Sequence, residues 1–168
     1  LYERRMAIRG ESDWRFSHPL LRESVLRFAK ESGRLEEHHR ICVEFLQHYG
    51  IPSSSGYFDR LGKHLQAIGE TEDALAAMLE AAHSWSLAHD HGQCLDVLAR
   101  CEELLDGLST PSNDKRRVIV LEKRVRCHFQ RGEYVQADKW MEKAIEIVTE
   151  VGSTEKLAEL YLDCAQYA

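Results

Sequence analysis

Prolines are scarce in this sequence, three in 168 residues, and the ten glycines fall mostly between periodic segments. A chain so rarely interrupted gives no sign of disorder. No apolar run approaches the ~18 residues needed to cross a bilayer, and no signal-peptide pattern is visible. Positive charge is not in excess: the net charge is −6 and the pI near 5.9, against the basic surface that nucleic-acid binding demands. The five cysteines (Cys42, Cys94, Cys101, Cys127, Cys164) include no CxxC pair. Odd in number, with four on predicted apolar helix stripes, they read as small core residues in a reducing compartment, which implies a cytoplasmic location. No phosphate-cradling glycine loop, nucleophile elbow or paired-carboxylate site stands out. The segment is therefore expected to be no enzyme by itself and to hold no cofactor of its own.

What is present is helical periodicity. Apolar residues make up 43% of the chain and charged residues 30%, a balance suited to much surface per unit core, as in a helical solenoid. The chain begins at Leu1 and stops at Ala168 in mid-pattern, so a segment of something longer is expected. Residues 1–9 are too short and charged to stand alone, and Trp14, Phe16 and His18 alternate as in a short strand. Pro19 suits a helix's first turn, and that helix runs through Leu21, Val25, Leu26 and Phe28. Leu35, His39, Cys42, Phe45, Leu46 and Tyr49 then step by three and four along one apolar face. "GIPSSSG" (50–56) is the clearest linker. This divides the chain into 1–50, a linker at 51–56, and 57–168, in which six further helices joined by short turns must lie antiparallel to their neighbours.

Around Gly69, "LGKHLQAIGETEDALAAMLEAA" has the spacings of the tetratricopeptide pattern, and "HFQRGEYVQADKWMEKAIEI" repeats its later part around Gly132. Gly69 and Gly132 are 63 residues apart, no multiple of that pattern's ~34-residue period. Gly92 and Gly132 are in phase once the loop at 107–114 is allowed for, which selects hairpins 71–89/92–107 and 115–131/133–150. In that phase Ser86, His89 and Asp90 on one inner helix and Glu122, Arg126 and Gln130 on the other face a groove. Its mixed charge suits a peptide carrying both signs.

"HDHGQC" (89–94) straddles a helix break and lacks a further ligand, so a polar turn is favoured over a metal site. "KRRVIVLEKRVR" (115–126) reads as an amphipathic helix with a solvated basic face, and Glu36-Glu37-His38-His39 as a helix surface with one inward histidine. Leu157, Leu160, Tyr161 and Cys164 form a last apolar stripe that leads us to expect end-to-end association or fraying at a cut end.

"WRFSHPLLRESVL…EEHHRICVEFL" resembles the end of the winged-helix element of bacterial signal-transduction ATPases of the STAND group. There an F-x-H-x-L-x-R-E stretch precedes a second histidine-bearing helix and tetratricopeptide-like repeats. "YFDRLGKHLQAIGETEDALAAMLEAA" also resembles the first repeats of large bacterial proteins that join a serine/threonine kinase, an ATPase module and repeats. The resemblance implies an all-α chain, an α-solenoid of tetratricopeptide-like hairpins with a short winged-helix remnant at its N-terminus. It implies a non-catalytic interaction and regulatory segment of an ATP-dependent signalling protein, whose partner is a protein, a peptide or neighbouring domains. ATP or ADP belongs only to the full-length protein, where His18 would contact the β-phosphate of ADP, as the histidine of the methionine-histidine-aspartate motif does in plant immune receptors. Pro19 stands where that motif has aspartate, which leaves the acidic residue without a counterpart. A transcriptional activator of the same ATPase group and a stand-alone repeat adaptor are the alternatives.

Overall fold

The computed structural model describes residues 7–9, 14–52, 56–108, 111, 114–152, 159 and 162. Two three-residue strands, β1 (Ala7–Arg9) and β2 (Trp14–Phe16), pair antiparallel with Ala7 opposite Phe16 and Arg9 opposite Trp14. Residues 7–9 thus find a backbone partner in β2, and the strand ends at Phe16, before His18. Helices then follow one another: α1 (Pro19–Glu31), α2 (Leu35–Tyr49), α3 (Tyr57–Ala67), α4 (Thr71–Leu87), α5 (His91–Gly107), α6 (Lys115–Gln130) and α7 (Tyr134–Val151). Each packs against its neighbours in the chain.

Four of the six helix connections are three residues long and built alike. In each, a residue of positive φ donates its N–H to a carbonyl three residues back, and the next N–H reaches five residues back. Around Gly69 these bonds are Gly69 to Gln66 (3.1 Å) and Glu70 to Leu65 (3.0 Å); around Gly132 they are Gly132 to Phe129 and Glu133 to His128, both 2.9 Å. Gly33 closes the α1–α2 turn in the same way. This is the Schellman end, which satisfies the carbonyls that a helix terminus orphans. The residue that follows is already the N-cap of the next helix, so one turn ends one helix and starts another.

At the α4–α5 turn the left-handed position belongs to His89, with φ +57°. Its N–H bonds to Ser86 and that of Asp90 to Trp85. The expectation that Gly92 sets this turn is therefore corrected: Gly92 lies within the first turn of α5. Because α4 stops at Leu87, His89 and Asp90 also fall in the turn and not on an inner helix.

The main core lies between α3, α4 and α5, around Leu75, Met78, Val97, Leu98 and Leu105, all nearly inaccessible to solvent. Gly62 admits the close approach of α3 and α4: a Cβ there would stand 2.7 Å from Met78 Cγ. A second cluster joins α6 and α7 through Val118, Leu121, Val125, Ala137, Met141, Ala144 and Val148. The apolar face anticipated for α2 is only half used. Val43 is buried and Leu46 packs on the core, but Phe45 and Tyr49 stack on each other in the open, with ring centroids 5.3 Å apart. α2 has a close neighbour in α3 and touches α1 only lightly, which leaves that side bare. The stripe at 157–164 lies outside the described residues.

A non-glycine residue held at positive φ costs about 1–2 kcal/mol, part of which glycine gives back through its freer unfolded chain. His89→Gly should therefore stabilise by about 0.5–1 kcal/mol and raise Tm by roughly 1–4 °C in a thermal melt. A lower Tm would show that the His89 side chain is held by contacts worth more than the strain.

Candidate functional site

His18 sits at the N-cap of α1 with extended backbone, φ −142° and ψ 135°, directly before Pro19 at the first helical position. Its Nδ1 accepts the Leu20 N–H at 3.3 Å. Nδ1 as acceptor leaves the proton of the neutral ring on Nε2. The exposed imidazole thus turns an N–H donor away from the helix.

Four of the six residues assigned to a groove lie at one end of the stack. α4 and α6 run in the same direction, tied at their N-terminal ends by the Glu72–Arg116 ion pair. At the opposite end a Cβ built on Gly92 would lie 3.8 Å from the Arg131 guanidinium, so the α4–α5 and α6–α7 turns adjoin. Half-buried Ser86 and exposed His89 and Asp90 belong to that end, as does exposed Gln130. Asp90 caps α5 by accepting the Gln93 N–H at 3.1 Å. Arg126 and Glu122 follow Gln130 back along α6 at steps of four, the first exposed and the second half-buried.

The basic face of α6 is largely committed to carboxylates of the same chain. Arg116 bonds Asp114 (2.8 Å) and Glu72, Arg117 bonds Asp106 (2.7 Å), and Arg124 bonds Glu102 (2.9 Å). Arg124 also lies over the Trp140 ring at 4.4 Å, and Lys143 approaches the same ring at 5.0 Å. The expected solvated face is corrected to that extent. Sequence reading missed the pairs to Glu72, Asp106 and Glu102 because each joins residues from different helices.

His39 does turn inward. Its Nδ1 stands 2.8 Å from Nδ1 of His64, linking α2 to α3. One ring must donate and the other accept, so the contact needs at least one neutral ring. Burial first, then the charges of His39 and Arg60, hold His64 below its ordinary value of 6.5. A depressed imidazole pKa costs stability as pH falls below that ordinary value. His89 and His91 meet edge to face at 6.0 Å, while the Cys94 thiol points to the Ala82 carbonyl at 3.3 Å, so "HDHGQC" does not converge on one point. Among the described residues no cluster of three histidine, cysteine or carboxylate side chains is placed to hold a metal ion. Burial pushes the Cys101 thiol up to about 12, in keeping with a core residue.

One surface went unforeseen. An open groove of about 570 Å³ runs between α2, α3 and α4, lined by Phe58, Leu61 and Leu65 of α3 and by Asp73 and Glu80 of α4. Its signal in the sequence is the pairing of two helical stripes, 58-61-65 and 73-76-77-80, at adjoining positions of one hairpin. Comparison with family models, with curated proteins and with solved structures yields no match.

Elsewhere on α3, Asp59 is the buried charge that joins this helix to α5. It accepts from Arg100 at 2.5 Å and from Lys63 at 2.7 Å. Burial alone would raise its carboxyl, but the bonds from Lys63 and Arg100 outweigh that and hold it below 3.8. Asp59→Ala would leave Arg100, already with one unbonded buried nitrogen, without its counter-charge. Breaking a buried pair costs about 3–5 kcal/mol, and the residual exposure of Arg100 puts the expected loss near 2–3 kcal/mol, or roughly 4–12 °C in Tm. A carboxylate with a depressed folded pKa stabilises above its unfolded pKa and loses that contribution as pH falls through the folded one. The gap between native chain and variant should hold from pH 7 to pH 5 and close below about pH 4, as followed by urea denaturation.

Proposed function

We propose that this chain is a non-catalytic interaction and regulatory segment of a larger, cytoplasmic, ATP-dependent signalling protein. The observation that carries the reading is the turn-linked stack from α3 to α7, in which consecutive antiparallel helices share a core and leave polar faces outward. Tetratricopeptide-like spacing about Gly69 and Gly132, where two of the identical turns lie, supports a repeat scaffold whose task is to hold a protein or peptide. The β1–β2 ribbon running into a histidine-capped helix supports the remnant of a winged helix before it.

His18 is the residue through which this segment would sense ADP in the full-length protein. The Nε2–H left outward by the cap is a donor suited to a phosphate oxygen, and a bond of that kind to a charged group contributes about 1.5–3 kcal/mol. In the intact protein His18→Ala should therefore release ADP at least tenfold faster, measured as the off-rate of a fluorescent ADP. His18→Ser separates the two roles, because serine restores the helix cap without the imidazole donor. A fast off-rate in both variants supports the sensing role, and a native off-rate in His18→Ser reduces His18 to a cap.

Partner recognition is assigned to the end of the stack carrying Ser86, His89, Asp90 and Gln130, with Arg126 and Glu122 behind it along α6. For a partner captured by the intact protein, Arg126→Glu should weaken binding by roughly tenfold, as reversal of a contacting charge does. Unchanged affinity in a titration would remove this end from the interface.

A further inference from the structure

We propose that the groove between α2, α3 and α4 is the docking site for a basic amphipathic helix of a partner protein. This deepens the reading of the chain as an interaction segment and rests on it. The groove is walled by helix ridges. Phe58, Leu61 and Leu65 form one along α3; Ala76 and Ala77 form the middle of another along α4. Spacings of three, four and seven residues on both walls are those into which the ridges of a third helix fit. The two alanines keep the α4 wall low, so that an incoming backbone can approach closely.

Charge selects which helix. Asp73 and Glu80 stand at the two ends of the α4 wall, seven residues or about 10 Å apart along the helix. Both are exposed, and neither side chain has an ion-pair partner among the described residues. Glu72 on the same helix, by contrast, pairs with Arg116. Among the described residues no lysine or arginine lines the groove, and the residue that α2 adds is the neutral Gln47. An apolar trough with an unanswered carboxylate at each end matches a helix bearing Lys or Arg seven residues apart, with Leu or Met on the turn between. This is helix-in-groove recognition, in which apolar anchors give affinity and the flanking charges give register.

The test uses two labelled, alanine-based helical peptides of about 15 residues. Both carry leucines at the central anchor positions, one with lysines at the flanking pair and the other with glutamates. In fluorescence anisotropy the 168-residue chain should bind the lysine peptide with a Kd on the order of 10 µM and the glutamate peptide at least tenfold more weakly. The double variant Asp73→Lys/Glu80→Lys should reverse that preference. Ala76→Trp, which fills the trough at an exposed position, should abolish binding of both peptides while the helical circular dichroism stays native. Equal binding of the two peptides, or a preference unmoved by charge reversal, would overturn the proposal. So would light scattering that shows a dimer of the native chain dispersed by Ala76→Trp, since a second copy would then occupy the groove. None of these outcomes touches the ADP off-rate or the Arg126 titration, so the groove can fail while the wider reading stands.

Discussion

The architecture hangs on a backbone constraint, the three-residue turn in which the capping of one helix is also the start of the next. A helix end leaves carbonyls without partners, and a three-residue link offers no spare chain to supply them. The Schellman bonds solve this from within, by turning one residue left-handed and drawing two N–H groups back onto the last turn. The geometry then admits little choice of direction, and neighbouring helices must return alongside one another. Three of the pairs so joined, α3–α4, α4–α5 and α6–α7, pack closely, whereas α1 and α2 meet only lightly; the seven-residue connections, 50–56 and 108–114, join helices of intermediate closeness.

Ion pairs do the remaining work of holding helices that the turns do not join. Arg100 reaches Asp59 across α3 and α5, and Arg116 ties α6 back to Glu72 on α4. Exposed pairs contribute little, about 0–1 kcal/mol each, whereas Asp59 is buried and its partners decide whether its charge is tolerated at all. Asp73 and Glu80, exposed beside the apolar trough, have no ion-pair partner among the described residues and tie no helices together.

How much of this could be read from residues alone depended on distance along the chain. The apolar steps of Val118, Leu121 and Val125, or of Met141, Ala144 and Val148, locate α6 and α7 and their shared core directly. Gly69 and Gly132 mark turns because glycine is the usual left-handed residue. His89 hides its turn for the same reason, since a nearby glycine at 92 draws the boundary three residues too far. β1 escapes notice because three residues gain a strand's bonds only from their partner. The groove and the Asp59–Arg100 pair depend on how three helices lie against one another, and no local pattern carries that.

The groove also crosses a seam. Gln47 belongs to α2, before the 50–56 connection, while the rest of its lining belongs to α3 and α4, after it. The seam is held by the His39–His64 contact and by Val43 and Leu46 against the core. A helix seated in the trough touches both sides and so favours the arrangements in which α2 lies close on α3. By linkage, whatever draws α2 onto α3 strengthens that seating by the same factor. α1, the helix capped by His18, joins α2 through the Gly33 turn but touches it only lightly, so packing carries that linkage no further than α2.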